Sequence, residues 1–263
     1  MKIKLIALAV AALVSGAANA SVNISTSIAN SNDMLINIWD SAGSFTKGLS
    51  VNFGSLSAAA ATAAPGDLLT LDLTSDVAFQ AFIAGRTSFN WDIIGVNTVG
   101  NYSSISTTNG TGALGTAPLN TAMKTGTTNI LNFVSAINSG IATPGATNVT
   151  NGIDSLYTST NPAPTYINSN GGAATGLFIS NSAIVGTNAN NSFESGLGLL
   201  KEVGSATGTS RSTQTYFTGV TAYIDGANVL HIAAVPEPES LAMLLAGLGI
   251  VGSIAMRRNR KLA

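Results

Sequence analysis

The groups in this chain that could do chemistry are few, and their spacing narrows what that chemistry could be. There is no cysteine, so thiolate nucleophiles, thiolate metal sites and disulfides are excluded. The single histidine, His231, lies in a segment of strand character with no nucleophile motif beside it, and reads as a strand residue rather than a general base. No G-x-S-x-G elbow, H-E-x-x-H helix or P-loop occurs. Gly110-Thr111-Gly112-Ala113-Leu114-Gly115 has the letters of a dinucleotide fingerprint, but it follows a Ser/Thr/Asn-rich stretch instead of a strand and reads as a glycine-rich loop. Carboxylates remain: Asp67, Asp72, Asp76 and Asp92 could pair as in a glycosidase or bind Ca²⁺ with loop carbonyls. Their spacing selects neither role. The expectation is no catalytic residue, no metal site and no cofactor, with the aspartates solvated or capping helices.

The elements that would position these groups are mostly short strands. Strand character recurs at Val22 to Ile28, Met34 to Trp39, Leu49 to Phe53, Leu68 to Leu73, Phe89 to Val96, Leu177 to Ile179, Thr215 to Ile224 and Asn228 to Ile232. Asp225-Gly226 between the last two predicts a hairpin, with Tyr216, Val220 and Ile224 on one face and Phe217 and Tyr223 on the other. A helix is predicted between Thr121 and Ser139, where Ile130, Phe133, Val134 and Ile137 share a face, and a second starting from Asp76 as N-cap and burying Phe79, Phe82 and Ile83. Many short strands and few helices predict a mainly β, sandwich-like antiparallel domain with one or two short helices. Residues 101–176, rich in Ser, Thr, Asn, Gly and Ala, read as long loops around the predicted helix. Trp39 and Trp91 fall in apolar strands, which favours a place in the core over a platform for stacking sugars.

Charge limits the partners. Of 263 residues only 9% are charged, against about 25% in an average domain, so solubility rests on uncharged polar side chains. Between Ser21 and Val235 five basic residues face ten acidic ones. Nucleic acid is therefore not an expected partner, because phosphate binding needs clustered Lys and Arg.

The two ends carry addresses. Residues 1–20 combine Lys2 and Lys4, an apolar run from Leu5 to Val14, and small residues at Ala18 and Ala20 before Ser21, the pattern of a secretory signal helix cut by signal peptidase after passage through the Sec machinery. That run would be about 15 Å long as a helix, too short to span a bilayer. At the other end, residues 235–263 read as Val235-Pro236-Glu237-Pro238-Glu239-Ser240, an apolar run over 241–256, and Arg257, Arg258, Arg260 and Lys261. The prolines hold the segment extended, the run predicts a single transmembrane helix of about 24 Å, and the basic residues act as a stop signal that stays in the cytoplasm. Residues 21–234 would then be an exported domain on the periplasmic side of the inner membrane.

This C-terminal arrangement resembles the PEP-CTERM sorting domain of Gram-negative exported proteins. The resemblance implies that an exosortase recognises Pro236, Glu237 and Pro238, removes the helix and basic tail, and passes the protein to the cell surface or medium. It further implies association with extracellular polysaccharide in a biofilm matrix, and it carries no activity for residues 21–234. The sequence as a whole predicts a non-enzymatic surface or matrix protein. The alternatives are a secreted carbohydrate-active enzyme using two aspartates and a Ca²⁺-dependent carbohydrate-binding module.

Overall fold

The computed structural model describes residues 32–40, 42–62, 66–86, 89–108, 117–142, 148–151, 155–158, 186–187, 196–205 and 208–234. The readings placed on Val22 to Ile28, on Gly110 to Gly115, on Leu177 to Ile179, on the signal helix and on the transmembrane helix lie outside them. Among the described residues no helix is long and apolar enough to cross a membrane.

Among the described residues eleven strands form one antiparallel sheet. In chain order they are β1 (Asp33–Asp40), β2 (Gly43–Asn52), β3 (Gly66–Asp72), β4 (Asn90–Asn97), β5 (Tyr102–Thr108), β6 (Asn148–Asn151), β7 (Ser155–Thr158), β8 (Gly186–Thr187), β9 (Leu197–Gly204), β10 (Thr213–Ile224) and β11 (Val229–Ala234). Their order across the sheet is β3-β11-β10-β9-β5-β4-β1-β2-β7-β6, with β8 pairing to β4. The predicted sandwich is thus corrected to one sheet that curls on itself. Its first strand, β3, comes round towards β2, so that Leu68, Leu69 and Leu71 join the same core as Phe45 and Leu49. A strongly twisted sheet of this width buries one face by curling, which removes the need for a second sheet.

Alternation along each strand separates two cores. The inner core takes Ile36 and Ile38 from β1, Trp91 and Ile93 from β4, Leu197 and Leu199 from β9, and Leu230 and Ile232 from β11. Two short helices close it. Helix α1 (Phe53–Thr62), begun by Asn52, whose Oδ1 accepts from Ser55 N at 2.8 Å, buries Phe53, Leu56 and Ala60. Helix α2 (Val77–Ile83) starts from Asp76 as expected and buries Phe79 and Phe82. Phe79 meets Phe45 edge-on, with ring centroids 5.4 Å apart. On the outer face lies α3 (Asn120–Ala142), longer than predicted, whose Ile130, Phe133, Val134 and Ile137 cover Leu35, Trp39, Ile94 and Val96. The Asn120 side chain seats this helix by accepting from Ser205 N at 3.1 Å and donating to Ser210 Oγ at 3.0 Å.

Three expectations needed revision. The stretch 101–176 is not simply loop and helix, since β5 occupies the middle of the sheet between β4 and β9, and β6 and β7 form a hairpin at its far edge. The strand predicted over Leu49 to Phe53 gives way to helix at Phe53, because the alanines of residues 53–62 favour helix once a cap starts the turn. In β10 the facing changes partway: Phe217 is buried with Val220, Ala222 and Ile224 in the inner core. The pairing to β9 slips between Tyr216 and Thr221, and Gly219 sits at φ 74° within that bulge, where a side chain would be strained. The predicted hairpin is present, with Asp225 Oδ1 accepting from Ala227 N at 2.9 Å and Val229 N at 2.8 Å.

Candidate functional site

The four aspartates set out as candidates are built into four different environments. Asp92, on the outer face of β4, is 3% exposed and accepts from Asn37 Nδ2 at 2.8 Å, while Asn37 Oδ1 accepts from Thr46 Oγ1 at 3.0 Å. These three residues face one another across β4, β1 and β2, as the register Asp92 to Asn37 to Thr46 requires. Burial pushes the Asp92 carboxyl up to about 7, against the opposing effect of the Asn37 hydrogen bond. Asp76 belongs to the inner side, where it caps α2 and lies 3.0 Å from Lys47 Nζ. Asp92 and Asp76 are therefore on opposite faces of the sheet and cannot flank one substrate bond. Asp72 ends β3 and binds Thr74 through its backbone N–H and its hydroxyl, which hold its carboxyl below the ordinary range.

Asp67 is the aspartate that approaches the histidine. His231, in β11 as the strand reading placed it, has Nε2 3.3 Å from Asp225 Oδ2 and Nδ1 3.7 Å from Asp67 Oδ1. Its ring stacks on Tyr223 with centroids 4.8 Å apart and planes 12° from parallel. Asp225 is held below the usual carboxylate range chiefly by the Val229 backbone N–H, with His231 and Ala227 acting in the same direction against partial burial. The histidine thus lies between two carboxylates, one from β3 and one from the turn that joins β10 to β11. Beyond the Asp-Gly turn, nothing in the residue order marks Asp225 as its neighbour, because the pairing depends on cross-strand register. Among the described residues no cluster of three or more His, Asp or Glu side chains is arranged to hold a metal ion. Trp39 and Trp91 are both buried, Trp39 under α3 and Trp91 in the inner core, as their strands implied.

Arg86 closes the end of α2. Its Nε donates to Asp40 Oδ2 at 2.7 Å, its guanidinium lies 4.5 Å from the Phe82 ring centroid, and it bonds the Phe82 carbonyl. That arrangement locks β1 to α2 and leaves Arg86 committed to packing.

The sorting residues Pro236, Glu237 and Pro238, the stop-signal residues Arg257, Arg258, Arg260 and Lys261, and the cleavage residues Ala18, Ala20 and Ser21 lie outside the described residues. The fold nevertheless fixes where the tail departs. β11 is paired on both sides, to β10 and to β3, and it is paired through its last residue, Ala234, which sits opposite Val220 and Gly66. In the sequence, β11 is followed by Val235, a Pro-Glu-Pro segment, an apolar run and a basic tail. Residues 234–261 match the PEP-CTERM protein-sorting motif, so the chain carries that signal at its C-terminal tail. The motif implies an exosortase as processing partner, a tail first anchored in the membrane, and a destination at the surface. No curated protein matches the chain, and no solved structure does.

Proposed function

We propose that this protein is a non-enzymatic component of the cell surface or extracellular matrix, exported through the Sec machinery and sorted through its C-terminal tail. In this reading signal peptidase cuts between Ala20 and Ser21. Residues 241–256 then hold the domain on the periplasmic side of the inner membrane, and the exosortase acts at Pro236, Glu237 and Pro238. The single observation carrying it is the sorting motif over residues 234–261, whose first residue, Ala234, is still paired within the sheet. Placement of Asp92 and Asp76 on opposite faces supports a binding or structural role over two-carboxylate hydrolysis. A domain solubilised by Ser, Thr and Asn instead of charge offers neutral hydrogen-bonding groups suited to a polysaccharide matrix.

The test is the intact mass of the protein recovered from the cell surface and medium, compared with that in the inner membrane, in cells with and without the exosortase. A surface species beginning at Ser21 and lacking Arg257 to Lys261, absent when the exosortase is deleted, is the expected result. Full-length tail on the surface protein would defeat the processing step, and glycan hydrolysis by the purified domain would defeat the non-enzymatic reading.

A further inference from the structure

Lys47 is a primary amine taken into the inner side of the fold, and its surroundings do more than neutralise it. In β2 it shares a face with Phe45 and Leu49, which belong to the inner core, and its side chain is 9% exposed. The chain brings Asp76 against it from the start of α2, 2% exposed, with Oδ2 3.0 Å from Nζ. That Oδ2 is buried and accepts no hydrogen bond, because the close approach lacks hydrogen-bond angles. All the donors fall on the other oxygen. Oδ1 accepts from Ala78 N at 2.9 Å, from Phe79 N at 3.1 Å and from Ser155 Oγ at 3.1 Å.

One carboxyl oxygen held by three donors, with the other left bare beside an amine, is an asymmetry that a simple ion pair does not need. It is the arrangement that acyl transfer needs: fixed donors where negative charge develops, and a nucleophile already at contact distance. We propose that Lys47 and Asp76 condense into an intramolecular isopeptide bond once the domain has folded. The ammonium first gives one proton to Oδ2, leaving a neutral amine and a carboxylic acid. The Nζ lone pair then forms a bond to Cγ, and Oδ1 carries the developing charge against Ala78 N, Phe79 N and Ser155 Oγ. A second proton passes from Nζ to Oδ2, the Cγ–Oδ2 bond breaks, and water leaves. The product is a secondary amide, with no oxidant, reductant or further reagent consumed.

The bond would staple the middle of β2 to the start of α2, closing the segment from 47 to 76 that contains α1 and β3. A cross-link of this kind confines the unfolded chain as a disulfide does, and this chain has no cysteine with which to make one. It is also indifferent to reducing conditions.

The experiment is intact-mass and peptide-fragment analysis of the mature protein recovered from cells, with both termini located in the same digest, beside a Lys47→Arg variant that keeps the charge and cannot form this amide. The expected wild-type protein is one water lighter than its residues require and yields a branched peptide joining Lys47 to Asp76, while the variant has its full mass. A folded wild-type protein of full mass overturns the proposal, as does a deficit that persists in Lys47→Arg. If the variant fails to fold, the presence or absence of the branched wild-type peptide decides alone.

Discussion

The two faces of the curled sheet are built on different rules. The inner face is closed by aromatic and aliphatic side chains drawn from β1, β2, β4, β9, β10 and β11 together with α1 and α2. The outer face is part apolar, under α3, and part a buried polar row in which Thr46, Asn37 and Asp92 hydrogen bond to one another across three strands. Apart from the Lys47–Asp76 pair, stability on the inside comes from area removed from water and close packing. On the outside a buried carboxyl must be kept neutral or fully hydrogen bonded, which makes that face a place where stability depends on pH.

The sharpest way to separate the faces is to truncate one large side chain on each. Phe79→Ala removes a fully buried ring that packs edge-on against Phe45, and should cost about 3 to 5 kcal/mol in denaturant unfolding. Ile130→Ala under α3 should cost about 2 to 3 kcal/mol, because a single helix lying on a sheet can settle into the gap more readily than a closed core. Equal losses at the two positions would mean that both faces are equally rigid and would remove the distinction.

The next largest effect concerns charge. Asp92 is raised from 3.8 in the unfolded chain to about 7 in the fold, so its contribution to stability is present at low pH and is lost as pH rises between those values. Asp92→Asn keeps an acceptor for Asn37 and has no proton to lose. It should therefore be more stable than wild type at pH 8, by on the order of 2 to 4 kcal/mol and with a correspondingly higher melting temperature, the gap closing towards pH 4. A wild-type melting temperature that does not fall across this range would show that Asp92 carries no such penalty.

The smallest effect is expected at the solvent-facing hairpin. Tyr223→Ala removes the stack on His231 and should cost about 1 kcal/mol, measured as a small shift in denaturant midpoint. A loss as large as that of Phe79→Ala would make the hairpin part of the core.

Much of this fold was legible in the residues because alternation and capping are local. Met34 to Trp39 announced β1, Ile130 to Ile137 announced the buried face of α3, and Asp76 announced the cap of α2. β5 was hidden for a physical reason: Tyr102-Ser103-Ser104-Ile105-Ser106-Thr107-Thr108 has one aliphatic residue, and its burial comes from neighbours that sequence does not place beside it. The change of facing in β10 was equally hidden, since a bulge at Gly219 moves Phe217 to the inner side. Of the candidate groups, the cap role of Asp76 was readable locally. The contacts of Asp92 with Asn37, of His231 with Asp225 and of Lys47 with Asp76 are long-range or register-dependent pairings that only the assembled sheet decides. The tail was the opposite case, because its signal lies in residue types along a short stretch.

The position of β11 also has a mechanical consequence. Any tension transmitted through the C-terminal tail enters the domain along the axis of β11, which lies between β10 and β3 and is laddered to both. Such a load shears two rows of hydrogen bonds at once instead of peeling a border strand away one bond at a time. The strand that hands the tail to the membrane is thus also the one best placed to resist being pulled out by it.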